Sequence, residues 1–367
     1  MNRVIKYLIV TTLLTLAGVG QSFAFLVDSI PEPDTSDLIT FTLLPEMDPF
    51  QSDKPMHVSL KFDMRKFIRE KHKGEYHNAI LSIALSSGGR VEDTIRIRSR
   101  GEFRKNHCYF PPVKLNFKES EFEETYMNDI KTLKLVTYCK NGELYQQYIF
   151  MEYLVYRMFN ILTDNSYRVR LIEIKYIDSQ ARKPSFNKYG FIVESNNHLS
   201  LRIDAVRIDR DGIKTWQTEP YQTNLVNLFQ FMIGNTDWAI NNQHNVRLFK
   251  QMDHTILTPL VIPYDFDYCG MVDAYYAIPP EELGLESVRE RVYLGYCLRS
   301  EADYQEYIQL FLDHKQEFFS LVENFELLYS RYRKNMVDYL EEFFDIIENP
   351  RRFKKVIIDR CRKMPTR

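Results

Sequence analysis

The chain of 367 residues has a formal net charge of −2, with 44% hydrophobic and 27% charged residues. An apolar share of this size is sufficient to bury one large core or two lobes. The nearly neutral balance, without a concentrated basic surface, argues against a nucleic-acid partner.

The first predicted element is a secretory signal peptide over residues 1–24. Arg3 and Lys6 supply positive charge ahead of an uncharged, mostly apolar run. Ser22 and Ala24 are the small residues that a signal peptidase reads. The apolar run is short for a bilayer span, and no later segment approaches that length. We therefore predict an exported protein, periplasmic or secreted, without a transmembrane segment in its mature form.

The five cysteines of an exported chain lie in an oxidising environment, where disulfides are permitted. Cys108 with Cys139 is the first pairing that we predict, because the segments around them could be neighbouring strands. Cys269 with Cys297 is the second. Cys361 would then stay unpaired or bridge to another chain.

Alternating apolar and polar residues predict a β-rich first half. A helix with one apolar face follows, and two further strands come after it. After residue 221 the chain reads as mainly helical. The predicted strands are Leu38–Leu44, His57–Phe62, Ala79–Leu85, Thr94–Arg98, Val113–Phe117, Thr132–Tyr138, Arg168–Ile177 and Lys188–Val193, and the predicted helices include Leu144–Leu162, Glu301–Glu323 and Phe325–Ile347.

This order of elements predicts an α+β fold of two lobes with a cleft between them. The β-rich N-terminal lobe with one main helix would span residues 25–200. The mainly helical C-terminal lobe would span residues 201–367 and carry a metal-site hairpin at 237–267.

The hairpin is predicted from two β-rich runs, Val246–Lys250 and Thr255–Ile262, on either side of a polar turn. In an antiparallel pair, the residue that enters the first strand lies opposite the residue that leaves the second. Asn245 and Asp265 should therefore converge, with Asp237 on the loop that leads in. Their oxygen atoms suit Mg²⁺ or Mn²⁺, although Asn and Asp are also ordinary turn formers.

Phosphoryl transfer also needs cations that offset phosphate charge. Arg100 and Arg104 flank a glycine after a predicted strand, where the backbone could approach a phosphate. Lys114 stands between apolar neighbours on the next strand and is placed to enter a cleft, and Lys134 competes for this role. An edge lysine that discourages strand pairing is the alternative explanation for Lys114.

Two glutamates complete the predicted site. Glu152 lies one helical turn before Tyr156, beside the apolar stripe of its helix, and could pair with Lys114. Glu194 closes a predicted strand and could sit at the hinge, near a nucleotide base. A surface strand end explains Glu194 equally well.

Three motifs together resemble the spore-coat protein H (CotH-type) family of atypical kinase-like proteins. Arg98-Ser99-Arg100-Gly101, followed by a lysine-bearing strand, looks like the Arg-Gly segment of that family. Gly234-Asn235-Thr236-Asp237-Trp238 looks like its catalytic loop. Pro263-Tyr264-Asp265-Phe266-Asp267 looks like its Pro-Trp-Asp-x-Asp motif.

The resemblance implies a protein-kinase-like form of the two-lobed fold, with ATP and Mg²⁺ or Mn²⁺ as cofactors. It implies that Asp237 is the catalytic or orienting carboxylate and that Asn245 and Asp265 are metal ligands. Asn242 stands five residues after Asp237, the usual kinase interval, and remains an alternative to Asn245.

The function favoured by these features is an exported metal- and ATP-dependent transferase, which moves a phosphoryl or related group to an envelope or secreted protein. The alternative is a catalytically inactive envelope or coat protein that keeps the fold for binding. A third hypothesis is a metal-dependent hydrolase that uses Asp237, Asp265 and Asp267 around two ions.

Overall fold

Seven strands of the N-terminal part form a closed barrel, in the order β1-β2-β3-β4-β5-β7-β6. The computed structural model describes residues 49–364, apart from 86–87, 119, 121–130, 254 and 256. The barrel strands are β1 (Met56–Phe62), β2 (His77–Ala84), β3 (Arg90–Ser99), β4 (Val113–Asn116), β5 (Thr132–Val136), β6 (Val169–Asp178) and β7 (Phe186–Val193).

The alternation of each strand explains which side chains fill the barrel. In β1, Val58, Leu60 and Phe62 are buried while the residues between them are more exposed. In β3, Ile95 and Ile97 are buried in the same way. Successive side chains of a strand point to opposite faces, so the apolar set lines the interior and the polar set faces outward.

Closure of the barrel shows that the predicted two-lobed, protein-kinase-like α+β fold is wrong. β1 pairs with β2 in an antiparallel direction and with β6 in a parallel direction, so this strand has no free edge. The described residues also belong to one compact unit rather than to two lobes. The pairing of β1 with β6 joins segments far apart in the chain, which local alternation does not specify.

A second, three-stranded sheet and the helices complete the structure. In this sheet β9 lies between β8 and β10. The central helix α3 contacts β6 and β7 of the barrel and also the later helix α7. The strands are β8 (Ala205–Ile208), β9 (Val246–Gln251) and β10 (Leu260–Pro263), and the helices are α1 (Met64–Arg69), α2 (Glu102–His107), α3 (Glu143–Leu162), α4 (Asn196–Arg202), α5 (Pro220–Ile233), α6 (Gln305–Asp313), α7 (Lys315–Glu323), α8 (Ser330–Ile347) and α9 (Pro350–Phe353).

Two disulfides join described residues. The first, Cys108–Cys139, confirms the predicted pairing, with the two Cα atoms 4.6 Å apart. The predicted pairing of Cys269 with Cys297 is wrong. Cys297 is bonded to Cys361, with a Cα–Cα distance of 5.0 Å, and Cys269 is a buried free cysteine.

Two sequence predictions fall on the N-terminal segment. The predicted signal peptide, residues 1–24, and the predicted strand Leu38–Leu44 lie outside the described residues. Within the described part of the chain, no helix has both the length and the apolar composition needed to cross a bilayer.

Candidate catalytic and metal site

The end of the β9–β10 hairpin brings two predicted site residues together. Val246 pairs with Pro263, and the backbone N–H of Tyr264 donates to the carbonyl of Asn245 at 2.9 Å. Asn245 and Asp265 have φ angles of +50° and +64°, in the left-handed region. Asn and Asp tolerate this backbone conformation better than most residues, and it clusters at functional sites.

Asp237 is held in one orientation by its neighbours. The side-chain amide of Asn245 donates to the Asp237 carboxylate at 2.9 Å and to its backbone carbonyl at 2.8 Å. Nε2 of His244 lies 2.7 Å from the other carboxylate oxygen. The loop starts at Gly234, where φ is +64° and a Cβ atom would collide with the Tyr339 hydroxyl. The Asp237 side chain stays 34% exposed, so it is oriented yet accessible.

A cluster of three carboxylates lies next to this loop. Ligand atoms of Glu152, Asp265 and Asp267 all lie within 4.8 Å of one another. Helix α3 supplies Glu152 and, one turn later, Tyr156, whose hydroxyl accepts the backbone N–H of Asp265 at 2.8 Å. Residues four apart occupy the same face of a helix, so one face of α3 supplies Glu152 and holds the backbone of Asp265.

The guanidinium of Arg104 forms ion pairs with two carboxylates of this cluster. Nη2 of Arg104 lies 2.8 Å from Oε2 of Glu152 and 2.7 Å from Oδ2 of Asp267. Burial raises the pKa of both carboxyls, and the charge of Arg104 acts in the opposite direction. The other oxygen of Glu152 is buried without a hydrogen-bond partner among the described residues. Three carboxyl groups share one cation, and ionisation of all three is costly in a buried place.

Asp265 faces a cleft of about 290 Å³ between the β3–β4 connection and the end of the hairpin. Its carboxylate has no hydrogen bond or ion pair with a described residue. Arg100, Asp237 and Asn245 line the same cleft. The oxygen donors of Asp265 and its two acidic neighbours, together with the orphaned Glu152 oxygen, fit Mg²⁺ or Mn²⁺, which prefer carboxylate ligands.

A row of cations crosses three neighbouring strands of the barrel. Lys114 pairs in register with Arg98 on one side and with Lys134 on the other, so the three side chains share the outer face. None of them forms an ion pair with a described carboxylate. Like charges placed directly opposite each other destabilise a sheet. This row therefore fits a bound anion better than it fits a purely structural role.

Lys134 is the member of the row nearest the hairpin. Its ammonium lies 4.5 Å from the centre of the Tyr264 ring. Burial lowers its pKa to about 7, the charge of Arg100 adds to this effect, and the charge of Asp265 opposes it. For Lys114, burial and the charges of Arg98 and Arg100 lower the pKa. Between the two lysines that the sequence left open, Lys134 is the one whose pKa the charge of Asp265 affects.

We expect Lys134→Met to stabilise the ligand-free protein at pH 7 and below, because it removes a buried cation that has no carboxylate partner among the described residues. Above pH 7, folded Lys134 loses its proton while the unfolded chain keeps it. The free energy of unfolding of the wild type should therefore rise, relative to that of the variant, by at most about 1.4 kcal/mol per pH unit up to about pH 10. Urea unfolding between pH 6 and pH 9 measures this difference. Lys61→Met, on an exposed strand position, is the control and should show no such trend.

Glu194 lies away from the cleft. Its side chain is fully buried and forms ion pairs with Arg168 at 3.0 Å and Arg202 at 2.9 Å. Glu152, for which the sequence suggested Lys114 as the partner, pairs with Arg104 instead. Arg104, predicted to contact phosphate, is thus engaged by carboxylates, whereas Arg100 has no such partner among the described residues.

Two residues of the cluster were missed or ranked low from the sequence. The sequence gives Asp267 a role only in the hydrolase hypothesis, although it belongs to the motif that resembles Pro-Trp-Asp-x-Asp, and it gives Tyr156 no role. The Asp265-Phe266-Asp267 spacing is a usable signal, since two residues with one between them lie on the same side of an extended segment. The hydroxyl of Tyr156 carried no local signal, because its partner lies far along the chain.

Comparisons with known proteins add only a distant structural similarity to this geometry. No protein-family model and no curated protein matches the sequence. Among solved structures, the chain is similar to the proinflammatory kinase CtkA of Helicobacter pylori, at 9% sequence identity and a TM-score of 0.36. The match covers 68% of this chain and 92% of that chain. The similarity to a kinase is distant, and these comparisons do not support membership in the spore-coat protein H family.

Proposed function

We propose that this chain is a metal-dependent transferase that moves the γ-phosphoryl group of ATP to an acceptor hydroxyl. One observation carries the proposal: Asp265 and Arg100, which line a single cleft, have no partner of opposite charge among the described residues. Lys134 also lacks a carboxylate partner among those residues, and its ammonium lies over the ring of Tyr264, the residue before Asp265. A complex of a divalent cation with a polyphosphate carries charges of both signs. Its cation can bind the carboxylate, and its phosphates can bind the basic side chains.

The residues divide into three roles. Asp265, with Glu152 and Asp267, would hold the cation, which supplies charge stabilisation to the phosphates when it is bound. Arg100 and Lys134 would neutralise the phosphate oxygens. Asn245 has its amide nitrogen committed to Asp237, which leaves its amide oxygen as a further possible donor to the cation.

Asp237 would act on the acceptor. Its carboxylate accepts the proton of the acceptor hydroxyl while the hydroxyl oxygen forms a bond to the γ-phosphorus. The bond from that phosphorus to the bridging oxygen breaks, and ADP leaves with the electron pair. The hydrogen bonds from Asn245 and His244 keep Asp237 oriented for this transfer.

We also propose that the protein works outside the cytoplasm, on an exported or envelope protein. The support for the compartment is the predicted signal peptide together with two disulfides, which persist in oxidising surroundings. The choice of a protein as acceptor rests on the sequence resemblance alone.

Ligand binding tests the proposal directly. We expect Mn²⁺ with ATP to raise the melting temperature of the full chain, because a ligand that binds the folded state stabilises it by about 2.7 kcal/mol at a hundredfold excess over Kd. Asp265→Asn should lose most of this shift. Asp273→Asn is the matched control, since Asp273 also has a positive φ but lies outside the cleft. Equal shifts in both variants, or none in the wild type, would contradict the proposal.

The transferred group is tested with labelled ATP. Label from the γ-position should become attached to an acceptor, or to the protein itself, in a reaction that requires Mn²⁺ or Mg²⁺. Attachment of label from the α-position instead would show nucleotide transfer and overturn the phosphoryl assignment. Binding of ATP without attachment of either label would favour a non-catalytic binding protein.

A further inference from the structure

A second cavity, of about 850 Å³, lies at one end of the barrel. Helix α1 forms one wall, and the connection between β6 and β7 forms another. No residue is shared between the lining of this cavity and that of the catalytic cleft. Its volume is in the range of sites that enclose small molecules.

The floor of the cavity is aromatic. Tyr138 stacks on Phe110 at a centroid distance of 5.0 Å and meets the edge of Phe186 at 5.9 Å. Tyr138 is only 2% exposed, and it lines the cavity. A tyrosine hydroxyl at a cavity wall can donate a hydrogen bond to an acceptor atom of a ligand.

The rim of the cavity is basic. Asp178 is its one acidic lining residue, and that carboxylate is already occupied by the backbone N–H of Arg182 at 2.9 Å and by its side chain at 3.4 Å. Arg65 has no ion pair with a described residue. The ammonium of Lys183 lies over the ring of Tyr109. The basic lining residues are Arg65, Arg69, Arg182 and Lys183.

We propose that this cavity binds an amphipathic organic anion, a carboxylate with a long apolar body. The apolar body packs against Tyr138 and Phe186. The carboxylate lies between Arg65 and Lys183, two cations that have no carboxylate partner in the described part of the chain. This site is independent of the transferase function, since the two cavities share no lining residue.

Dodecanoate, below its micelle concentration, is the probe. Calorimetric titration of the full chain should show saturable binding of dodecanoate. Dodecanol, which lacks the charge, and acetate, which lacks the chain, should each bind at least tenfold more weakly, a difference of about 1.4 kcal/mol or more. Equal binding of dodecanol would reduce the site to an apolar groove and overturn the proposal, as would the absence of saturable dodecanoate binding.

Two variants locate the site. Arg65→Gln with Lys183→Gln should weaken dodecanoate binding about tenfold, whereas Arg351→Gln with Lys355→Gln removes two cations elsewhere and should leave it unchanged. Tyr138→Phe deletes only the hydroxyl at the cavity wall, so it keeps the aromatic floor and should weaken binding several-fold. Wild-type affinity in both the Arg65/Lys183 and the Tyr138 variants would show that the anion binds at another place. ATP-dependent stabilisation of all these variants should match that of the wild type.

Discussion

Asp237→Asn is expected to lower the rate of phosphoryl transfer by about a thousandfold while Mn²⁺ and ATP bind almost as in the wild type. The substitution keeps the shape of the side chain. The new amide can turn its oxygen toward the Asn245 donor and its nitrogen toward His244, so both neighbours stay paired. The carboxylate that accepts the acceptor proton is lost, and no other cleft residue holds the same position.

The split between rate and binding is the informative result. Single-turnover transfer of γ-label measures the rate, and the melting temperature with Mn²⁺ and ATP measures binding. Asp209→Asn, which removes an 81% exposed carboxylate, is the control and should leave both unchanged. If Asp237→Asn loses binding as completely as it loses rate, Asp237 holds the metal or the fold, and its assignment as proton acceptor is wrong.

Local patterns in the sequence were sufficient to place most of the elements. The predicted strand His57–Phe62 is observed as Met56–Phe62, and the predicted helix Leu144–Leu162 as Glu143–Leu162. The period of the apolar residues decides these elements, since it reports which face is buried. The hairpin that joins Asn245 to Asp265 was predictable for the same reason, because antiparallel pairing follows from two short strands and a turn.

Contacts between distant segments were not predictable in this way. The parallel pairing of β1 with β6 closes the sheet into a barrel. The sequence of either strand alone does not specify which distant strand it pairs with. Strand β8 was missed because Ala205–Ile208 is short and only its first residue is fully buried. Arg104 was assigned to phosphate for a similar reason, since the carboxylates that bind it lie far along the chain.

The choice between Lys114 and Lys134 shows most clearly what local sequence patterns cannot predict. Both lie on short strands between apolar neighbours, and they are register partners on the same outer face. The sequence therefore gives them the same pattern. Only the packing of the hairpin against β5, which sets Tyr264 under the Lys134 ammonium, separates them.

Arg104→Met is expected to destabilise the metal-free protein by roughly 3–5 kcal/mol, because it leaves Glu152 and Asp267 buried without their cationic partner. The same change removes the one cation that competes with a metal ion for the cluster. Mn²⁺ should therefore restore more stability to this variant than it adds to the wild type, and it should bind the variant more tightly. Urea unfolding with and without Mn²⁺ measures both effects.

The double variant Arg168→Met with Arg202→Met is the matched control, since these two arginines pair with another fully buried carboxylate, Glu194, away from the cleft. This variant should lose stability that Mn²⁺ does not restore. The comparison separates two explanations of the Arg104 cluster. If the carboxylates form only a structural ion-pair network, both arginine variants respond to Mn²⁺ alike; if they bind a divalent cation, only Arg104→Met is rescued. An equal response would remove the proposed metal site, and phosphoryl transfer at this cleft would lose its physical basis.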